Sequence, residues 1–435
     1  MTAMAREILI LFTRFPQPGS TKTRLIPLLG AEHAARLQHE MTEHVLAKVW
    51  PLLKERGTAI EVRFDGGSRA DMRQWLGNVP RFRPQGEGDL GARMNRAATD
   101  AFTAGAHAVV MIGADCPALD APTIANAFDS LNSNRVVFGP ATDGGYYLVG
   151  LRGPLPSLFE GILWGTNSVL AASLTKAREA EIEPALLPEL SDVDEPDDVP
   201  LWQSAREASR RISVIIPALN EAEQLPATLK AAAAGNPFEI IVADGGSRDA
   251  TPEITESHNA TLLRCQAGRA RQMNAGAVLA RGEVLLFLHA DTWLPPGYGD
   301  AVLDAFRRPD VVGGAFRFAV RDQFPNRWLI EALTNVRSRL LRFPYGDQSL
   351  FVRRWAFEKL GGFPDFQIME DYEFVRRLRR LGRLSILSLP ALTSGRRWQR
   401  YGFMRATSLN KLIILGYRCG VPPAKLAALY HRRAS

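Results

Sequence analysis

The chain has 435 residues, 46% hydrophobic and 23% charged, with a net charge of +7. That length is too great for one ordinary core and implies two or three domains, and the composition is that of a soluble globular protein rather than a disordered or fibrous one. Three cysteines without metal-ligand spacing, Cys116, Cys265 and Cys419, speak against a disulfide framework and a zinc site and fit a reducing cytoplasm.

Neither a leader pattern nor an apolar run of about 20 residues is present, so the expectation is a cytoplasmic protein. Contact with the inner face of a membrane and a homo-oligomer both stay open. The charge is unevenly shared: residues 211–435 hold 32 Lys/Arg against 20 Asp/Glu, a net of +12, and the remainder carries −5. A basic half favours anionic partners such as nucleoside diphosphates or a lipid phosphate. No nucleic-acid-binding signature appears, so nucleic acid is not expected as a partner.

The first half opens on an apolar strand, Ile8–Phe12. The loop Arg14-Phe-Pro16-Gln-Pro18-Gly19-Ser20-Thr21-Lys22-Thr23-Arg24 follows it. Its prolines and Gly19 exclude a helix, and Lys22 and Arg24 supply the cations that triphosphate binding needs, although the Walker spacing is missing. Helical patterns cover Ala31 to Glu55 and Arg69 to Leu76. Gly86 and Gly88 then make an approach where a base or ribose can lie against backbone, with Asn95 soon after. A strand, Ala108–Ile112, runs into Gly113-Ala-Asp115-Cys-Pro117, a junction at which Asp115 is expected to hold a divalent cation. Asp143, Gly144 and Gly145 form either a sugar-facing floor or a tight turn. The half closes on Ser191-Asp192-Val-Asp194-Glu-Pro196-Asp197-Asp198, a cap, a linker or a source of a second metal carboxylate, for which Asp194 is the candidate.

A polar stretch near 203–211 separates the halves, giving domains of 1–204 and 211–435, the second with a C-terminal helical segment. Its first strand ends at Pro217-Ala-Leu-Asn220-Glu221, and the next ends at Asp244-Gly245-Gly246-Ser247-Arg-Asp249. Arg269, Arg271 and Asn274 precede Val284-Leu-Leu-Phe-Leu-His289-Ala-Asp291. A short apolar run closing on a carboxylate reads as a buried parallel strand, and open α/β sheets bind ligands beyond the carboxyl ends of such strands. Asp291 there is a metal ligand or a helix cap. Glu370 and Asp371 open a helix, where a carboxylate can either act as a base or stabilise the helix. Arg396, Arg397 and Trp398 offer guanidinium groups to a diphosphate and an indole face to a sugar or lipid. Residues 409–418 form either a surface amphipathic helix or an ordinary packed one.

The two halves repeat one layout. Asn95 precedes Asp115 by twenty residues and Asn274 precedes Asp291 by seventeen, and a β-branched pair begins about twenty residues after each aspartate. On these motifs residues 5–200 resemble the nucleotidyltransferase-like proteins related to molybdenum-cofactor and phospholactate guanylyltransferases. Residues 211–400 resemble the inverting family-2 glycosyltransferases of GT-A fold, closest to the branch found beside radical-enzyme genes. The family's Asp-x-Asp reads His289-Ala-Asp291 here. The resemblance implies an α/β protein of two tandem GT-A/Rossmann-like nucleotide-binding domains with mostly parallel central sheets. It implies that Pro217, Asn220, Glu221, Asp244 and Gly245 hold the nucleoside, with Arg271 near its base or phosphates and Asn274 also at the nucleotide. It further implies Asp291 on Mg2+ or Mn2+, Asp371 at the acceptor hydroxyl, and NTP and NDP-sugar as substrates. The expectation is a bifunctional enzyme whose first domain makes a sugar nucleotide and whose second transfers the sugar to a small molecule, a polyprenyl phosphate or a lipid. Two alternatives stand: a first half that only binds or dimerises, and a nucleotide-binding peripheral scaffold without turnover.

Overall fold

The computed structural model describes residues 7–78, 80–396 and 403–434. The chain folds as two compact units, Met1–Glu207 with Arg307–Asp310, and Ala208–Phe306 with Val311–Ser435. The helix Val199–Ser209 occupies most of the polar stretch between them.

The first unit is built on a seven-stranded sheet. Its strands are β1 (Glu7–Arg14), β2 (Ala59–Asp65), β3 (Arg81–Pro84), β4 (Ala108–Ile112), β5 (Val136–Pro140), β6 (Tyr146–Leu151) and β7 (Ala185–Leu186), in the order β3-β2-β1-β4-β6-β5-β7. Strands β3, β2, β1 and β4 run parallel, and β6 is antiparallel to both of its neighbours. The apolar run of β1 is buried on both faces because alternate side chains enter different layers. Leu9 and Leu11 join one core with Val62 and Val110, while Ile8 and Ile10 join another with Val109 and Met111. The expected helix from Ala31 to Glu55 stops at Val49 and gives way to a single turn, Leu52–Glu55. Pro51 between them lacks the N–H that would continue the ladder.

The second unit repeats the plan with eight strands: β8 (Ile212–Ala218), β9 (Glu239–Asp244), β10 (Thr261–Arg264), β11 (Val284–Phe287), β12 (Thr292–Trp293), β13 (Val311–Val320), β14 (Leu350–Arg353) and β15 (Arg383–Thr393). Their order is β10-β9-β8-β11-β14-β13-β15-β12, again with four parallel strands followed by an antiparallel one. Ile212, Val214 and Ile216 face one core and Ile215 the other. At the C-terminal end, helices Phe403–Arg418 and Pro423–Ala434 pack through Leu409, Ile413 and Leu426.

In each unit the chain leaves the first strand toward one side of the sheet and later returns to pair a strand on its other side. The strand order therefore reverses between β1 and β4, and between β8 and β11. Loops leaving adjacent strands in opposite directions open a crevice at that point. The 14–25 loop and Asp115 flank the first crevice, and Asn220-Glu221 and Asp291 flank the second.

Candidate functional site

In the second unit the loop after β8 is shaped by the loop after β9. Asn220 adopts a left-handed backbone, φ 55°. Its N–H donates to Ser247 Oγ at 2.8 Å, and its Oδ1 accepts from Arg248 N at 2.8 Å. The Glu221 N–H donates to Thr251 Oγ1 at 3.0 Å. Pro217, which has no N–H to give, sits next to last in β8, half-buried in register with Ala243. Asp244 departs from the expectation of a direct nucleoside contact. Its carboxylate is 2% exposed and accepts from the Gly246 N–H, the Ser247 N–H and the Ser247 hydroxyl. Those donors fold the turn, so Asp244 supports the loop after β9, which in turn holds Asn220. Gly245 likewise makes room for protein: a Cβ there would stand 3.1 Å from Gln272 Nε2 and 3.2 Å from Ala267 Cα. Gln272 carries no functional signal in the sequence, yet its amide donates to Ala218 O (2.7 Å) and Ala243 O (2.8 Å) and ties the ends of β8 and β9 together.

Asp291 stands just past β11, at the crevice. One guanidinium nitrogen of Arg396 donates to Asp291 Oδ2 at 3.0 Å and to Glu221 Oε2 at 3.3 Å. The two carboxylates thus share a single cation. Burial raises the Glu221 carboxyl, and the Asp291 charge adds to that, against the opposing pull of Arg396. Arg396, expected at a diphosphate, instead bridges the carboxylates. Arg397 and Trp398 lie outside the described residues.

Asp371 is held by two backbone donors, Gly346 N–H to Oδ2 and Tyr372 N–H to Oδ1, both at 2.7 Å. Gly346 lies against both this carboxylate and His289: a Cβ there would be 3.2 Å from Asp371 Oδ2 and 3.3 Å from His289 Nε2. Burial holds the His289 ring below its usual range, and Arg269 adds to the effect. Glu370 differs from its expected catalytic role. It is 3% exposed and faces Arg269 at 3.5 Å, and burial and the Asp371 charge raise its carboxyl. An acceptor cannot reach a side chain so enclosed, which leaves Glu370 a buried counter-charge. Two residues expected at the nucleotide are engaged by the protein itself. Arg271 is committed to Asp365, with nitrogen–oxygen distances of 2.9 to 3.0 Å. The Asn274 amide brackets the Phe363 backbone, donating to its carbonyl at 2.8 Å and accepting from its N–H at 2.9 Å.

In the first unit a cleft of about 660 Å3 opens at the crevice and is lined by Lys22, Arg24, Gly88, Arg93, Asp115 and Asp194, among others. Lys22 takes a left-handed backbone, φ 46°. Its ammonium, on a side chain only 7% exposed, donates to Val193 O at 2.7 Å and lies 3.4 Å from Asp194 and 3.6 Å from Asp115. Arg24 reaches Asp194 Oδ2 at 2.7 Å. Asp194 is therefore engaged by two cations, Lys22 and Arg24. Asp192 is the carboxylate under like-charge pressure: it is pushed up to about 6, first by burial, then by Asp115 and Asp143. The Asp-x-Asp spacing pointed to the pair, but only the packed loop distinguishes its members.

The glycines separate by neighbour. Gly88 lines the cleft, Gly86 lies exposed against the Arg96 guanidinium and outside that lining, and Gly19 has an exposed, open surround. Gly144 packs against the backbone of Asn167, and Asp143 accepts from the Gly145 N–H at 2.8 Å, so this segment is a tight turn at the crevice rim rather than part of the cleft lining. Asn95, on the helix Leu90–Thr103, is half-buried and does not line the cleft.

Among the described residues no cluster of three or more His, Cys, Asp or Glu is placed to hold a metal, and no helix is long and apolar enough to cross a membrane. The donor sets nevertheless fit a divalent cation of the Mg2+ kind, which takes one or two carboxylates and completes its shell with phosphate oxygens and water. In the second unit the fit is visible in the shared Arg396 cation.

Two α/β units, each with carboxylates at the switch point of its sheet, define a protein built from two doubly wound, mostly parallel α/β folds. The family comparisons divide the chain in the same way. Residues 49–166 match the model described as an uncharacterized protein conserved in bacteria (DUF2064), and residues 213–369 match glycosyl transferase family 2. An undecaprenyl-phosphate 4-deoxy-4-formamido-L-arabinose transferase of Pseudomonas paraeruginosa is 30% identical over 130 residues, 27% of this chain and 38% of that protein. Glycosyltransferase AglE of Haloferax volcanii is 28% identical over 184 residues, 36% of this chain and 57% of that protein. The chain thus spans between about two fifths and three fifths of these relatives' own length. A solved structure from Desulfovibrio desulfuricans, described as a provisional nucleotide-diphospho-sugar transferase, is 32% identical, with 44% of this chain and 84% of that one covered and a TM-score of 0.41.

Proposed function

We propose that the second unit is an inverting, metal-dependent glycosyltransferase that takes its sugar from a nucleoside diphosphate. The observation that carries this reading is the pair of carboxylates, Asp291 and Glu221, drawn to one cation where β8 and β11 end. Asp291 would hold Mg2+ or Mn2+ in place of the Arg396 guanidinium, with Glu221 beside it. The cation supplies neutralisation of the charge that develops on the departing diphosphate. Arg396, once released, can pair with phosphate oxygens through its planar guanidinium. Asp371 takes the proton that a hydroxyl or a singly protonated phosphate acceptor carries as that oxygen bonds to the anomeric carbon and the bond to the diphosphate breaks, and the Gly346 and Tyr372 N–H groups keep its carboxylate aimed. Asn220 and Glu221 line the nucleoside side of the crevice, on a loop whose shape depends on Asp244, Ser247 and Asp249.

The first unit is read as a nucleotidyltransferase that couples a nucleoside triphosphate to a sugar phosphate, so that one chain both makes and uses the donor. Support comes from the Lys22–Asp115 contact in a cleft of nucleotide size, with Asp192 close enough in charge to share a cation with Asp115. A lipid phosphate is the favoured acceptor. The Pseudomonas relative is named for such a substrate. Helix Arg327–Leu341 also exposes Leu333, Val336 and Leu340 in one stripe, at 51%, 54% and 77%, with several arginines nearby. A basic, apolar surface of that kind suits an anionic bilayer, and the reading places the protein in the cytoplasm against the membrane.

The test of the second unit is Asp371→Asn in the full chain. Donor turnover should fall about 10²- to 10⁴-fold, while affinity for nucleoside diphosphate with Mn2+ stays unchanged. An equal loss of affinity would favour a binding protein without turnover. For the first unit, nucleoside triphosphate, sugar 1-phosphate and Mg2+ should release pyrophosphate, and Lys22→Ala should abolish that release. Absence of release with every nucleotide would end the bifunctional reading.

A further inference from the structure

A second cleft in the first unit, about 650 Å3, is lined by Arg63, Arg69, Arg73, Arg81, Arg83 and Arg96, together with Asp100. None of these residues belongs to the Lys22–Asp115 cleft. The arginines converge for simple reasons of register. Arg81 and Arg83 lie on one face of the edge strand β3, with Phe82 turned into the core, and Arg83 pairs in register with Arg63 on β2. Arg69 and Arg73 are one turn apart on the helix Arg69–Leu76, as Arg96 and Asp100 are on Leu90–Thr103.

The charges in this cleft do not balance. Arg63 contacts Glu61 at 2.6 Å and Asp100 at 2.8 Å, and Arg83 lies 3.4 Å from each of the same carboxylates. Two carboxylates therefore answer two arginines. Arg96 spends its donors on the carbonyls of Gln85 (2.7 Å) and Glu87 (2.8 Å), which carry no countercharge. Arg69, Arg73 and Arg81 are exposed and have no ion-pair partner among the described residues. Four cations thus face one concavity in the half of the chain that is net acidic. Protection of the β3 edge would account for Arg81 and Arg83. It does not account for Arg69, Arg73 and Arg96, which come from helices.

We propose that this cleft binds a small polyphosphate anion, a ligand bearing a pyrophosphate-type group, through Arg69, Arg73 and Arg81. Guanidinium groups match paired phosphate oxygens in a planar, two-point fashion, and a concavity of this size admits a small molecule rather than a length of polymer. The site also adjoins the neighbouring cleft in structure. Gly86 and Arg96 line it, while Gln85, Gly88, Arg93 and Met94, from the same loop and helix, line the other.

The test is calorimetric titration of the full chain with inorganic pyrophosphate in metal-free buffer. Wild type should bind. The Arg69→Gln/Arg73→Gln/Arg81→Gln variant should lose a binding event, its affinity falling at least about tenfold, and Lys22→Ala, which alters only the neighbouring cleft, should keep that event. Binding should also weaken as salt is raised. Single Arg73→Gln, checked for an unchanged melting temperature, guards against a folding defect and should show a smaller loss. The proposal is overturned if wild type does not bind, if the triple variant binds like wild type, or if Lys22→Ala removes the binding. A single-stranded oligonucleotide that binds through these arginines and is not displaced by pyrophosphate would overturn it as well.

Discussion

Replacing Asn274 by alanine separates two roles for one side chain. At its place before Asp291 it reads as a nucleotide ligand, whereas in the fold its amide clamps the Phe363 backbone through bonds of 2.8 and 2.9 Å. Phe363 packs on Phe287, Phe357 and Phe374, and the loop it anchors leads to Glu370 and Asp371. Loss of both hydrogen bonds at a half-buried position costs about 2 kcal/mol, taking roughly 1 kcal/mol for each. For a unit of this size that lowers the melting temperature by about 4–8 °C. Asn274→Asp should cost at least as much, because it sets a carboxylate oxygen against the Phe363 carbonyl. Scanning calorimetry of the full chain reads the stability, and titration with nucleoside diphosphate and Mn2+ reads the affinity, which should change less than about threefold. An unchanged melting temperature together with a tenfold loss of affinity would refute the clamp and restore the direct contact.

The Glu373 carboxyl is held down to about 2, chiefly by the Arg376 guanidinium, with Arg377 and the Tyr417 hydroxyl adding to it. A folded value below the ordinary 4.5 means that this stabilisation is complete above about pH 4.5 and disappears as the pH falls toward 2. Glu373→Gln should therefore cost at most about 3 kcal/mol at neutral pH, with the deficit shrinking to nothing by the low end of that window in denaturant titrations. A deficit independent of pH would contradict the ion-pair origin. Leu333→Glu/Leu340→Glu should leave the melting temperature within about 2 °C, because both side chains are already exposed. The same pair should release the protein from anionic vesicles in co-sedimentation, and equal binding by wild type and variant would remove this helix from membrane contact.

The strands and their terminal carboxylates were legible in the sequence because both signals are local. A run such as Ile212–Ile216, short and β-branched, reads as a strand buried on two faces, and a carboxylate at the end of Val284–Leu288 then emerges where such strands meet ligands. The repeat of that pattern at Asp115 and Asp291 carried the two-unit plan, and the two sheets share their first four places of strand order. Side-chain assignments inside the loops were less legible. Asp244, Asn274, Arg271 and Glu370 are polar residues in the right order, but order does not say whether their partners are ligands or the protein's own backbone. That was settled by residues far away in sequence: Ser247 and Gly246 folding back on Asp244, Phe363 meeting Asn274, Asp365 taking Arg271, and Arg269 enclosing Glu370. Asp192 and Asp194 show the same limit at a spacing of two, since Lys22 and Arg24 arrive from a loop more than 160 residues earlier and neutralise only one of them. Local pattern alone determined where the chain is apolar and where charge emerges. Only the packed fold decided which charges face an open crevice and which are already answered, because a buried polar group must find its partner wherever the chain brings one.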